Sequence, residues 1–184
     1  MKKIFVMLAL ATFGSAYAGS AMVELQSWEN PLTKATSSGL VLNVKENLTN
    51  NVTGDVVFSI SKSDSTKAFA GRSETGLTYS NSVVGKLSGY VRGAIGIKHN
   101  SGTSDTTYYS VEPGVTYGIT DSLSARLGYR YRTAFNESVA DQTNTLRAGL
   151  SYALNKKDTI GIRLDKVRGD SSINTVNVNY TRAF

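Results

Sequence analysis

A two-residue alternation of apolar and polar side chains runs through most of this 184-residue chain, up to its last residue, Phe184. In the segment 123–135, leucines, tyrosines and a phenylalanine occupy one phase, whereas serine, glycine and three arginines occupy the other. The segment 146–154 repeats the pattern. Because successive side chains of a β-strand point to opposite faces, each segment would have one apolar and one cationic face. Such strands are typical of a barrel with lipid outside and a wet lumen inside.

Ten segments carry this strand pattern, and stretches rich in Asn, Asp, Gly, Ser and Pro separate them. They are residues 21–28, 37–47, 53–62, 71–80, 86–99, 106–119, 122–135, 143–154, 158–168 and 173–184. Most reach the length of about 9–11 residues that a tilted membrane strand needs. The sequence therefore predicts an all-β fold, a closed antiparallel transmembrane up-and-down β-barrel of about ten strands, with eight as the alternative. Pro113 lies mid-strand, where we expect a β-bulge because proline cannot donate to the ladder.

The first 18 residues have the three parts of a secretory signal peptide in the right order. Lys2 and Lys3 form a positive start, residues 4–13 form a short apolar run, and Ala16-Tyr17-Ala18 is a small-residue cleavage site. A buried N-terminal helix is the alternative interpretation. The chain has no cysteine, which excludes a disulfide framework. We therefore predict a signal peptide over 1–18, export, and an outer-membrane β-barrel over 19–184.

The last strand resembles the C-terminal signature of bacterial outer-membrane proteins, a terminal Phe preceded by apolar residues at every second position. Val176, Val178, Tyr180 and Phe184 fit that phase, and Arg182 departs from it. The resemblance implies a location in the bacterial outer membrane, contact with its lipid, and insertion by the barrel assembly machinery through this strand.

The outward phase also groups aromatic residues by height. An even strand number puts both termini in the periplasm, and Tyr79, Tyr117, Tyr152 and Tyr180 then lie near the lower ends of four descending strands, with Phe184 terminal. These residues would form a periplasmic aromatic girdle, while Tyr109, Tyr131 and Phe135 would form an outer one. Aromatics scattered over a soluble β-surface are the alternative, which does not predict this grouping.

The polar phase carries more bases than acids, in a chain with 20 Lys and Arg against 14 Asp and Glu, a net charge of +6. Export argues against nucleic acid as the partner and leaves small anions. We expect a lumen lined by arginines, whose forked donors suit carboxylate and phosphate, and several of them without a protein partner. The predicted lumen residues are Arg92, Arg126, Arg130, Arg132, Arg147 and Arg163. The alternative is a lumen plugged by ion pairs, for example with Glu112 or Asp165.

Three stretches resemble the oligogalacturonate-specific porin family. They are Tyr117-Gly118-Ile119-Thr120-Asp121-Ser122, Ala125-Arg126-Leu127-Gly128-Tyr129-Arg130-Tyr131-Arg132 and Asp141-Gln142-Thr143-Asn144. The resemblance implies a small outer-membrane barrel that passes acidic oligosaccharides or other small anions through an arginine-lined pore. It also implies that Arg126, Arg130 and Arg132 face the solute.

Two other function classes remain as alternatives to a channel. His99-Asn100-Ser101 resembles the His-x-Ser of lipid A deacylases, and Asp105 is the acid nearest to that histidine in sequence. A structural or adhesive barrel is the other alternative, although the predicted outer loops are short. We assign no catalytic residues, no metal ligands and no cofactor, and we predict that the protein is not an enzyme.

Overall fold

The computed structural model describes residues 19–64, 66, 68–100 and 104–184, so the predicted signal peptide lies outside the described residues. The described residues form ten strands. They are β1 (Gly19–Glu29), β2 (Thr36–Asn47), β3 (Val52–Ser63), β4 (Phe69–Val84), β5 (Leu87–Asn100), β6 (Thr106–Gly118), β7 (Leu123–Ala134), β8 (Thr143–Ala153), β9 (Asp158–Gly169) and β10 (Ile173–Ala183).

The ten strands close into one antiparallel barrel in which each strand pairs with its neighbours in sequence. The seam is the pairing of β1 with β10, which runs from Ser20 opposite Ala183 to Glu29 opposite Asn174. Closure satisfies the backbone groups of the first and last strands, as lipid requires. The prediction of a ten-stranded up-and-down barrel is confirmed, and the eight-stranded alternative is wrong. Over the described ranges, no helix is long and apolar enough to cross a membrane.

The distribution of burial is the reverse of that in a soluble protein. Large apolar side chains on the outward phase are exposed, including Leu25, Leu77, Ile95, Leu164 and Val178. On the inward phase the buried side chains are mostly polar or charged. An apolar outer surface and a polar interior are the two faces of a barrel that spans a lipid bilayer. This surface and the fold agree with the location in the bacterial outer membrane that the sequence predicts.

The connections on the two rims of the barrel differ in length. On the rim that carries both termini the turns span residues 48–51, 85–86, 119–122 and 154–157. On the opposite rim the connections span residues 30–35, 64–68, 101–105, 135–142 and 170–172. Outer-membrane barrels have short periplasmic turns and longer extracellular loops, and most of these lengths agree with the periplasmic termini that the even strand number predicts.

The hairpin of β4 and β5 projects beyond the periplasmic rim. The sequence pattern ends β4 near residue 80, but the strand continues to Val84 and pairs with β5 around a tight turn with Gly85 at a φ of 53°. Pairing of β4 with β3 stops at Tyr79 opposite Val52. The residues of β4 after Tyr79 are polar or exposed. They lie outside the apolar zone of the bilayer, which imposes the alternation of apolar and polar side chains.

Pro113 is accommodated without the bulge that the sequence predicts. The ladder between β6 and β7 pairs Val111 with Tyr131 and then Gly114 with Gly128, which is the same register on both sides. The two positions between them are left out of this ladder, while Pro113 remains opposite Val91 on the β5 side. Pro113 is therefore accommodated by a local gap in the β6–β7 ladder, and not by the extra residue of a β-bulge.

Inward glycines make room for two tyrosines that lie against the wall of the barrel. A Cβ added to Gly96 would stand 2.5 Å from the Tyr108 hydroxyl oxygen and 2.7 Å from the Ser73 carbonyl oxygen. Gly114 and Gly128 are covered in the same way by Tyr90. Both tyrosines are buried, and they fill the lumen beside β5, β6 and β7. Because these glycines have no side chain, the two tyrosine rings can lie directly against the backbone of the wall.

We expect Gly96→Ala to lower the free energy of unfolding by about 1–3 kcal/mol, because the added methyl overpacks a site bounded by backbone. The matched control is Gly93→Ala on the same strand, where an added Cβ meets nothing within 4 Å. Urea unfolding of the refolded barrel in lipid vesicles measures both. Equal stability of the two variants would contradict this account of the wall.

Candidate functional site: the charged lumen

The six predicted lumen arginines all project from the inner face, and each forms an ion pair with a carboxylate. The pairs are Arg92 with Asp55 and Glu74, Arg126 with Glu112, Arg130 with Glu74, Arg132 with Asp141, Arg147 with Glu112, and Arg163 with Glu24 and Asp165. The expectation that several of them lack a protein partner is therefore wrong for this set. Charges held inside a narrow barrel are stabilised by opposite charges, and the chain supplies them.

Glu74 on β4 joins two arginines and a tyrosine at mid-height. Arg92 Nη1 donates to it at 2.7 Å, Arg130 donates from β7, and the Tyr108 hydroxyl donates at 2.7 Å. Arg92 also grips Asp55 with two parallel hydrogen bonds of 3.0 and 2.6 Å, the forked geometry in which arginine binds carboxylate best. Glu74 and Arg130 are almost fully buried, so this group is a fixed element of the interior.

Glu112 on β6 is the centre of a second group. It accepts hydrogen bonds from the Tyr90 hydroxyl at 3.0 Å, from Arg126 at 3.3 Å and from Arg147. The Arg126 guanidinium also lies over the Tyr90 ring, 3.9 Å from its centroid, which is a cation–π contact. Arg126 nevertheless keeps 43% of its side chain exposed. It is the most accessible of the six arginines.

Arg163 on β9 is the centre of a third group, beside the barrel seam. It contacts both oxygens of Glu24 on β1 at 3.0 Å and donates through Nε to Asp165 at 2.9 Å. Asn177 on β10 adds a hydrogen bond of 3.3 Å to Asp165. This third group links strands on both sides of the β1–β10 closure.

The sequence predicts four inward acids, Glu24, Glu74, Glu112 and Asp165, and two further carboxylates belong to these groups. Asp55 lies in the inward phase of β3, so the alternation could have located it. Asp141 lies in the connection between β7 and β8, where no strand period applies. It contacts Lys98 at 3.2 Å and Arg132 at 2.8 Å. Nothing in the sequence indicates that this loop residue turns inward.

Two cavities lie inside the described part of the barrel, one toward each rim. The periplasmic cavity measures about 550 Å³ and includes Asn43, Lys45 and Arg126 in its lining. The outer cavity measures about 260 Å³ and includes Trp28, Lys98 and Arg132. Four arginines line both cavities and therefore stand at the level where they meet. These are Arg72, Arg130, Arg147 and Arg163.

The lining of these cavities is more cationic than the ion pairs suggest. The inward carboxylates are only 1–8% exposed, because guanidinium groups and tyrosines cover them. Among the described residues, Lys45 and Arg72 also line cavities without forming an ion pair.

The five predicted girdle residues lie on the outer surface and are exposed, as are Tyr109 and Phe135 of the opposite rim. Arg182, which breaks the C-terminal pattern, is accommodated at the periplasmic rim. It contacts Asp158 at 3.4 Å, and the same carboxylate accepts a hydrogen bond of 2.5 Å from the Tyr180 hydroxyl. At this rim Arg182 is therefore both paired with a carboxylate and exposed to solvent.

The residues considered for catalysis are partly outside the described residues. His99 Nδ1 lies 2.8 Å from Asp105 Oδ2, and both side chains are about half exposed at the outer rim. Ser101 falls in the gap between residues 100 and 104. Within the described ranges there is no cluster of three side chains that could hold a metal ion.

We expect Glu74→Gln to lower the free energy of unfolding by about 3–5 kcal/mol, because it leaves buried guanidinium charge without its counter-ion. Glu29→Gln, which removes an exposed pair with Lys34, is the control and should cost about 1 kcal/mol or less. Urea unfolding in lipid vesicles gives both values. A loss for Glu74→Gln as small as that of the control would mean that the mid-height group is not a stabilising element.

By sequence, the chain matches no protein-family model and no curated protein. Its fold is similar to that of three solved structures. These are an outer membrane channel from Pseudomonas putida F1 (13% identity, TM-score 0.59, covering 92% of this chain and 96% of that one), the NanC porin (13%, 0.53, 87% and 98%) and the KdgM porin (14%, 0.51, 89% and 99%). The chain has the fold of a small outer-membrane β-barrel of the porin-like kind.

Proposed function

We propose that this protein is a narrow outer-membrane channel that favours small anions. The observation that carries the proposal is the uneven exposure of the two charge types inside the barrel. Among the described residues, nine basic side chains face the interior against six acidic ones, and the acids are covered. A cleft lined by one sign of charge concentrates ions of the opposite sign. The likeness in fold to porins and channels supports the same interpretation.

The basic side chains differ in exposure, and in the proposed channel they therefore have different roles. Arg130 is 4% exposed and held by Glu74 and Ser110, so it contributes a fixed field. Arg126 at the periplasmic cavity and Lys98 at the outer one keep accessible side chains that can contact a solute. A permeating anion would exchange its water for these donors in turn, which requires binding that is weak and repeated.

The solute class that fits is a small molecule with one or more carboxylate or similar groups, which includes acidic sugars. The resemblance of the stretches around Arg126 and Arg132 to the oligogalacturonate-specific porins points in the same direction. The cavities, of about 550 and 260 Å³, suit small solutes. We propose no enzymatic step, because His99 and Asp105 lie exposed at the outer rim, away from the charged interior.

A barrel plugged by its own side chains is the second candidate function. The pairs formed by Glu74 with Arg92 and Arg130 favour it, since they fill the level between the two cavities. Such a barrel would act through its outer surface and conduct no ions.

Conductance in a planar bilayer under a salt gradient separates these two candidates. We expect stable current steps and a reversal potential that favours anions, shifted toward cations by Lys45→Gln and by Arg72→Gln because each removes an unpaired lumen charge. The control is Lys166→Gln, which removes an exposed charge from the outward phase of β9 and should leave selectivity unchanged. Silence from a correctly folded barrel would refute the channel and establish the plug.

We also propose that the five aromatic residues at the periplasmic rim anchor the barrel at the lipid interface, and that the C-terminal strand is read by the barrel assembly machinery. We expect Phe184→Ser to reduce the amount of protein inserted in the outer membrane of cells while leaving refolding into detergent intact. Phe135→Ser, which changes another exposed phenylalanine at the opposite rim, is the matched control. Equal insertion of both variants would exclude a special role for Phe184.

A further inference from the structure

The outer mouth of the lumen contains an ion pair unlike the others. Five of the six inward carboxylates belong to barrel strands, whereas Asp141 is carried by the connection of residues 135–142. Its side chain is 7% exposed and sits between Lys98 on β5 and Arg132 on β7. A loop therefore places one negative charge between two lumen cations that would otherwise face the outer cavity.

Asp141 uses only one of its two carboxylate oxygens to contact the two cations. Lys98 and Arg132 both contact the same oxygen, Oδ1, at 3.2 and 2.8 Å. The other oxygen, Oδ2, is buried with no hydrogen-bond partner, and so is Nε of Arg132. Arg132 could make two parallel hydrogen bonds to a carboxylate, as Arg92 does to Asp55, but here it makes one.

The backbone that carries Asp141 is anchored independently of this ion pair. The Gln142 amide donates to the Asp170 carboxylate at 2.6 Å, and the Asp170 amide donates to the Gln142 carbonyl at 2.9 Å. The tether belongs to the turn between β9 and β10. The carboxylate of Asp141 can therefore leave the two cations by side-chain rotation alone, without release of the loop.

We propose that Lys98 and Arg132 form an anion site at the outer mouth and that Asp141 occupies it as a built-in competitor for the carboxylate of an incoming solute. The inference rests on the proposed channel function and adds its first binding step and the element that regulates it. A free carboxylate can orient both oxygens toward the site and form the second hydrogen bond that Asp141 leaves unmade. An arriving anion thus displaces Asp141, and an uncharged or cationic solute does not.

The test is Asp141→Asn, which keeps the size of the side chain and the anchor at Gln142 and removes the charge. The matched control is Glu137→Gln, an exposed acid in the same connection. The reporter is Trp28, the one tryptophan of the chain, which lines the outer cavity together with Lys98 and Arg132. Its fluorescence in the refolded barrel is measured against iodide and, separately, caesium as quenchers.

We expect Asp141→Asn to raise the iodide quenching constant of Trp28 at least about two-fold, because two lumen cations lose their internal counter-charge. Caesium quenching should not rise, and Glu137→Gln should match the parent protein. In the planar bilayer, Asp141→Asn should increase selectivity for anions, and acetate or galacturonate should shield Trp28 from iodide more strongly than in the parent.

The outcomes separate this inference from the proposed function. If the parent conducts and Asp141→Asn changes neither iodide quenching nor selectivity, the competitor is refuted and the channel stands. If neither protein conducts but iodide quenching rises in Asp141→Asn, the site exists in a barrel that is not a channel. If iodide and caesium quenching rise together, the variant has only loosened the loop, and the inference is overturned.

Discussion

The hydrogen-bonded seam between β1 and β10 is the constraint on which the rest of this structure depends. In lipid, an unpaired strand edge costs several kcal/mol for each exposed backbone group, so an antiparallel sheet is tolerated only when it closes on itself. Ten strands achieve closure here, with Ser20 to Glu29 paired along the whole seam. Once the sheet is closed, each side chain of a strand points either to the lipid or to the lumen. The two-residue alternation of apolar and polar side chains follows from this.

Closure also determines how the inner charges are arranged. A ten-stranded barrel is narrow enough for a side chain on one wall to reach another wall, as Arg130 on β7 reaches Glu74 on β4. The carboxylates lie close to the wall under the guanidinium groups, since the aspartate and glutamate side chains are shorter than arginine. The carboxylates are consequently covered near the wall, while the Arg126 side chain above them stays accessible.

The sequence was sufficient for the parts of the fold that depend on local period. Strand positions, the barrel class and the inward placement of all six arginines followed from the alternation, with strand ends off by a few residues. It was insufficient for pairing across the lumen, because Arg163 and Glu24 are brought together by closure and strand tilt rather than by any spacing. Asp141 and the extension of β4 to Val84 were missed because a loop and a hairpin outside the bilayer obey no membrane alternation.

The projecting β4–β5 hairpin has a consequence for how this barrel meets other proteins in the periplasm. Closure removes free edges within the membrane, but Asn81, Ser82 and Val84 of β4 have ladder partners only on the β5 side, and the register shifts at Val83. A short open edge therefore reappears below the rim, and it includes the exposed Val83 and Val84. Its length limits strand addition by another chain to a few backbone hydrogen bonds, and Asn51 bonds to the backbone of Ser80 directly above it. The tip of this hairpin is therefore accessible to other proteins in the periplasm, but its open edge is too short for extended pairing with a strand of another chain.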